Sequence, residues 1–165
     1  MTTIEPAATH SDIQIIAHLA HEIWTEHYTP IIGSAQVEYM IEKFQSVAAI
    51  KEQIGDGVEY HLVRYQGDSA GYISAYKKKE SLFLSKIYVL SSLRGKGIGK
   101  TMMNFISERA HQLSCENITL TVNKYNTNSI NAYKRMGFLI VEPIVIDIGN
   151  GFIMDDYLMK KALEN

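Results

Sequence analysis

The sequence predicts a mixed α/β fold, of the α+β kind, with helices on the faces of one mostly antiparallel sheet. Three observations carry this. Apolar residues recur at helical spacing through the first third of the chain. The pattern then shifts to β-rich runs joined by a hairpin signal at Gln66-Gly67-Asp68. Beyond residue 90, helical and strand patterns alternate. A hydrophobic fraction of 46% over 165 residues is enough to bury one sizeable core, and no repeat or proline-rich linker divides the chain, so 1–165 reads as a single domain.

In order, the pattern opens with a strand. Thr9 and Asp12 then form a capping box, and Ile13, Ile16, Ala17, Ala20, Ile23 and Trp24 predict a helix over 10–28, closed by Pro30 and Gly33. Ser34 is placed to cap a second helix through Phe44, and a third helical piece over 47–54 ends at Gly55-Asp56-Gly57. Strands follow at Glu59–Tyr65, Ala70–Lys77 and Leu82–Leu90. Residues 97–113 carry Ile98, Met102, Phe105, Ile106, Ala110 and Leu113 on one helical stripe. Ile118–Val122 predicts a strand, 127–136 a short helix, and 138–146 with 152–159 the last two strands.

Composition excludes several classes. No apolar stretch approaches the roughly 18 residues of a membrane span. Met1 to His10 lacks a basic start before an apolar run, so no secretory signal is expected. Cys115, the sole cysteine, makes no internal disulfide and suits a reducing cytoplasm. Net charge is −2, yet residues 1–60 hold nine acidic and only two basic side chains. That asymmetry suits a cationic partner on one side and an anionic one on the other, although two ordinary solvated faces would look the same. Lys77-Lys78-Lys79 is too short a basic run to bind nucleic acid. His18, His21 and Glu22 share a helix face but lack a metal-binding spacing, so no metal is expected.

The informative segment is Ile87 to Thr101, where a strand feeds a glycine-rich turn that opens a helix. Such a turn exposes orphan backbone N–H groups at the positive end of the helix dipole. Glycines clear space for a phosphate, and Arg94, Lys96 and Lys100 add charge, so an anion belongs there. Spacing separates the candidates. A dinucleotide fingerprint starting at Gly95 would need glycine where Lys100 stands. Walker A would need glycine where Arg94 stands, although Gly99-Lys100-Thr101 imitates its ending. The apolar run ending at Asp147 imitates a Walker B strand, but Pro143 interrupts it.

Arg94-x-x-Gly97-x-Gly99 instead resembles the pyrophosphate-binding motif of the GNAT superfamily of N-acetyltransferases. Asn126-x-x-Ser129-x-x-x-Tyr133-x-x-x-Gly137-Phe138 resembles that superfamily's next motif, in the expected order. The resemblance covers residues 80–160 closely and implies a splayed sheet with acetyl-CoA as co-substrate. It implies that Arg94, Gly95, Lys96, Gly97, Ile98, Gly99 and Lys100 hold the pyrophosphate. Ile87, Tyr88 and Val89 would contact the pantetheine arm through their backbones, with the Val89 N–H near the thioester oxygen. Asn126 and Ser129 are further cofactor contacts by the same resemblance, and Tyr133 is the catalytic acid that protonates the leaving thiolate.

Some members carry a glutamate on the strand before the turn; here that stretch is Leu84-Ser85-Lys86, so the base stays open, with Glu22, Glu26 and His27 as candidates. Asp155 and Asp156, adjacent on a predicted strand, face opposite sides and make no catalytic pair. Trp24, Tyr28-Thr29-Pro30 and Tyr39 to Lys43 resemble a bacterial branch that includes polyamine acetyltransferases. The expected function is therefore acetyl transfer from acetyl-CoA to a primary amine of a small molecule, a polyamine among the candidates. Trp24, Glu26 and Tyr28 would bind this acceptor in a cytoplasmic protein, with a homodimer left open. The alternative is a regulatory module that binds acetyl-CoA without turnover.

Overall fold

The computed structural model describes residues 1–164. Its strands are β1 (Thr2–Pro6), β2 (Glu59–Tyr65), β3 (Asp68–Lys78), β4 (Ser81–Val89), β5 (Asn117–Asn123), β6 (Leu139–Gly149) and β7 (Phe152–Ala162). They form a seven-stranded open sheet in the order β1-β2-β3-β4-β5-β7-β6, in which β1–β2, β2–β3, β5–β7 and β7–β6 pair antiparallel and β4–β5 pairs parallel. The helices are α1 (His10–Ile32), α2 (Ser34–Gln45), α3 (Val47–Gly55), α4 (Ile98–Gln112) and α5 (Thr127–Arg135). This is the mixed α/β architecture the periodicity predicts. No helix among the described residues is long and apolar enough to cross a membrane.

The chain falls into two compact units. The first holds Met1–Tyr76 and Lys86–Ile106. Its helix α1 begins with the expected capping box: the Asp12 N–H donates to the Thr9 hydroxyl at 3.1 Å, and the Asp12 carboxylate accepts from the Thr9 and Ala8 N–H groups. Those backbone donors hold the Asp12 carboxyl below its ordinary value. Ile13, Ile16, Leu19, Ala20, Ile23 and Trp24 are the buried stripe.

Pro30 does not close the helix; it lies within the last turn. The Gly33 N–H still reaches the Thr29 carbonyl at 3.0 Å, so one lost donor is absorbed two residues before the end. Gly33, at φ +85°, makes the stop and also stands as N-cap of α2, so Ser34 is inside that helix rather than capping it. Ser46 caps α3 by accepting the Ala49 N–H at 3.2 Å. Gln66 and Gly67, both at positive φ, make the two-residue turn that pairs Tyr65 with Asp68. Gly71 of β3 is required by contact: a Cβ there would stand 2.1 Å from the Tyr88 carbonyl oxygen.

The second unit holds Lys77–Ser85 and the chain from Ser107 onward. Here β4 runs parallel to β5 from Ser81↔Asn117 to Phe83↔Thr119, and the Ser81 hydroxyl donates to the Asn117 side chain. β5 alternates, burying Ile118, Leu120 and Val122, as a strand covered on one face should. β7 lies between β5 and β6, antiparallel to both. Pro143 does not break β6, which runs through it to Gly149. β6 is the last strand in the order, and an edge strand tolerates a missing donor.

Candidate functional site

In the first unit, β4 ends at Val89 and the chain makes a 3-10 turn over Ser91–Leu93 before entering the glycine turn. The Leu90 N–H anchors this segment to the Ala70 carbonyl at 2.9 Å. Gly95 and Gly97 have φ of +80° and +79°, which L side chains rarely adopt. The Gly97 carbonyl accepts the Thr101 N–H at 3.2 Å and the Thr101 hydroxyl at 3.1 Å, so helical bonding starts there. The N–H groups of Ile98, Gly99 and Lys100 accordingly have no carbonyl one turn earlier in the helix. A Cβ built on Gly95, Gly97 or Gly99 would meet nothing within 4 Å. Ile98 is buried and pins the helix start, while Arg94, Lys96 and Lys100 stand exposed around it. The result is an open, cationic cradle of backbone donors that fits a pyrophosphate.

Beside the cradle, Ile23, Glu26, His27, Ser91 and Arg94 line a cavity of about 160 Å³. Glu26, expected from sequence on the acceptor side, therefore shares a cavity with Arg94 of the turn. Trp24 and Tyr28 sit with Tyr88 in one aromatic cluster. The Trp24 ring centroid is 5.7 Å from those of both tyrosines, all edge-on, and the Tyr28 and Tyr88 hydroxyls are 2.9 Å apart. Trp24 is the buried floor; Tyr28 and Tyr88 are half-buried above it.

Tyr72 extends the cluster, its ring 5.6 Å from that of Tyr88. Its hydroxyl donates to Gln45 Oε1 at 2.6 Å, Gln45 Nε2 donates to the Tyr60 hydroxyl at 3.0 Å, and Tyr60 donates to Gln53 at 2.6 Å. Burial raises both phenols above their ordinary value. This chain of donors supports the cluster and was not legible in sequence, because Gln45 looks like any helix-end polar residue. Ile87 and Val89 are half-buried, and so is Lys86, whose ammonium burial pulls down to about 8.

In the second unit, Tyr133 lies half-buried on α5, its ring 5.7 Å from Phe138. Its carbonyl accepts the Phe138 N–H at 3.0 Å, which folds the chain back through Gly137 at φ +100°. Asn126 stands at the N-cap of α5, buried, and its side chain makes no capping bond. Ser129 is half-buried one turn on, and Lys134 and Arg135 are exposed.

The two adjacent aspartates diverge as alternation requires. Asp155 pairs with Lys124 at 2.8 Å, whereas Asp156, only 4% exposed, accepts a hydrogen bond from Thr121. Burial first, and the Asp155 charge second, push the Asp156 carboxyl up to about 6. Sequence reasoning set this residue aside, and no local signal marks it, since its burial is tertiary.

Comparison with known proteins decides the family. The profile of the acetyltransferase (GNAT) family matches residues 17–138, about three quarters of the chain. The chain belongs to that family. Among curated GNAT relatives, L-ornithine N5-acetyltransferase of Arabidopsis thaliana is 22% identical over 71% of this chain and 50% of its own length. Streptothricin acetyltransferase of Streptomyces lavendulae is 33% identical over 50% of this chain and 45% of its own length. The chain thus spans about half the length of these curated relatives. In fold it is similar to the PaiA N-acetyltransferase of Thermoplasma acidophilum, solved in complex with coenzyme A. That likeness has a TM-score of 0.83 at 18% identity and covers 98% of this chain and 99% of the other.

Proposed function

We propose that this GNAT protein is an enzyme that transfers an acetyl group from acetyl-CoA to a primary amine of a small molecule by direct attack. The cradle at the start of α4 carries the reading. Positive-φ glycines, open space at their Cβ positions and three orphan helix amides suit the cofactor's pyrophosphate. When bound, acetyl-CoA supplies an activated thioester carbonyl. Arg94, Lys96 and Lys100 neutralise the pyrophosphate, and the backbones of Ile87, Tyr88 and Val89 orient the pantetheine arm. The Val89 N–H meets negative charge as it develops on the thioester oxygen. Asn126 and Ser129 steady the cofactor, and Tyr133 gives its hydroxyl proton to the leaving sulfur.

The acceptor is a cationic amine, of which a polyamine is the type. The acidic excess of residues 1–60 and the place of Glu26 in the cavity support this. In this reading Trp24 and Tyr28 pack the methylene chain and Glu26 meets the distant ammonium. The name of the ornithine relative, which acts on a side-chain amine, agrees with it.

The test is thiol release from acetyl-CoA with spermidine against an acidic amino acid at equal concentration. Spermidine should be faster, and its advantage should shrink as salt rises. Equal, salt-insensitive rates would sink the polyamine assignment. Absence of turnover with every amine, alongside tight acetyl-CoA binding, would establish the regulatory module. The one observation favouring that second reading is Lys86, on the strand where some relatives carry a carboxylate.

A further inference from the structure

We propose that His27 is the general base of the acetyl transfer, its imidazole taking the proton that the acceptor nitrogen loses. The inference rests on the acetyl-transfer reading above and supplies the base that β4 lacks.

Three side chains of α1 are candidates, and their placement within the first unit separates them. Glu22 is exposed and is not among the residues lining the cavity beside the glycine turn. Glu26 and His27 both line it, with Ile23, Ser91 and Arg94. Glu26 is exposed, and a solvated carboxylate holds a proton too weakly to be an efficient base at neutral pH, where imidazole exchanges one readily. His27 is half-buried, and its ring stands edge-on to that of Tyr28 with the centroids 4.8 Å apart. That contact holds the imidazole against a residue proposed to pack the acceptor chain.

The cavity also reaches the cofactor strand. Ser91, on its wall, is two residues beyond Val89, which is about 7 Å of chain at most from the backbone proposed to meet the thioester oxygen. The Tyr28 hydroxyl is 2.9 Å from that of Tyr88, the residue before Val89. His27 therefore shares a cavity with Glu26 and a ring contact with Tyr28, on the side of β4 that α1 covers.

The charges facing it oppose one another. Glu26, its neighbour in sequence and in the cavity, favours the imidazolium, whereas Arg94 of the glycine turn favours the neutral ring. Ile23, Trp24, Pro30 and Ile31, one turn away on α1, carry no charge, and the aromatic cluster contributes only the phenols of Tyr28, Tyr72 and Tyr88. A histidine between such opposed charges can accept a proton and release it again around neutral pH.

In the reaction the acceptor attacks as the free amine. Its nitrogen lone pair forms the C–N bond, and the C–S bond breaks with its electron pair left on sulfur. The N–H proton passes to the unprotonated ring nitrogen of His27, and the sulfur takes the proton supplied by Tyr133 in the reading above. Solvent then returns both residues to their starting states.

Two measurements test this. The first follows the His27 ring by NMR as a function of pH, with and without the amine that the protein acetylates fastest. An ammonium bound beside the ring should lower its midpoint; an unchanged midpoint at saturating amine overturns the placement, whatever the turnover. The second is the pH profile of kcat. His27→Gln should lose about 10²–10³-fold in kcat, with little change in KM for acetyl-CoA, and should lose the acidic limb. Glu26→Gln removes the charge that favours the imidazolium, so it should move that limb to lower pH. His27→Ala should regain turnover when imidazole is added, which a packing role would not produce. Wild-type kcat and an intact limb in His27→Gln overturn the proposal. If His27→Gln does not fold, an unmoved limb in Glu26→Gln does so. A wild-type protein that releases no thiol with any amine overturns the acetyl-transfer reading, and the proposal with it.

Discussion

The hydroxyl oxygens of Tyr28 and Tyr88 stand 2.9 Å apart, tying the last turns of α1 to the strand that feeds the glycine turn. The bond couples a residue proposed to touch the acceptor with one proposed to touch the cofactor. Tyr88→Phe keeps the ring against Trp24 and Tyr72 and removes one partner of this half-buried pair. Loss of about 0.5–1.5 kcal/mol of stability is expected, read as a lower denaturation midpoint at unchanged slope. Tyr28→Phe should cost a similar amount, and the double variant less than the sum of the two, since both delete the same bond.

Gly97→Asp places a side chain and a negative charge in the cradle, at a φ of +79°. No neighbouring atom is within 4 Å of the new Cβ, so the fold should survive by far-UV spectroscopy. Acetyl-CoA binding by calorimetry should vanish. A folded variant with wild-type affinity would remove the pyrophosphate assignment. In the wild type, ATP should bind much more weakly than acetyl-CoA.

Tyr133→Phe loses only the hydroxyl, and the packing against Phe138 persists. Turnover should fall by about 10²–10⁴-fold, with little change in KM for acetyl-CoA, because the loss lies in the transition state. Normal turnover with a good acceptor would assign sulfur protonation to another group or to water.

Asp156 also makes a prediction about stability that needs no substrate. Its carboxyl is near 6 when folded and about 3.9 in an unfolded chain, so between these values the folded state binds more protons. Stability from this group is therefore fully present below about 3.9 and is lost as pH rises through 6. By this linkage the ionised carboxylate costs on the order of 2–3 kcal/mol at neutral pH. Asp156→Asn should be more stable than wild type at pH 7 to 8, and the gain should shrink toward pH 4. Equal denaturation midpoints at both ends of that range would mean the carboxyl titrates normally.

The glycine turn was legible in sequence because three glycines between a strand pattern and a helix pattern mark a turn; the positive φ of Gly95 and Gly97 is what the structure adds. The capping box at Thr9 and Asp12 was legible for the same local reason. The helix stop was misplaced at Pro30, because a proline removes only its own N–H bond and the turn carries on to Gly33, whose N–H still reaches the Thr29 carbonyl. β6 outran its predicted end at 146 by three residues; the expected strand already ran through Pro143, which an edge position tolerates. Local signals say nothing about burial. Asp155 and Asp156 are identical by sequence, and only the sheet makes one an ion-pair partner and the other a desolvated acid.

The edge strand β6 exposes Leu139, Ile140, Val141, Val145 and Ile146, a row of apolar side chains on a rail of backbone that invites another molecule's strand. Pro143 removes one donor from the middle of the rail, and irregularities at Ile140/Glu142 and Asp147/Gly149 break its register near both ends. A strand arriving from a second copy would find no uninterrupted run of partners to zip along. A proline in the middle of an edge strand is one of the features that hinder edge-to-edge stacking of sheets.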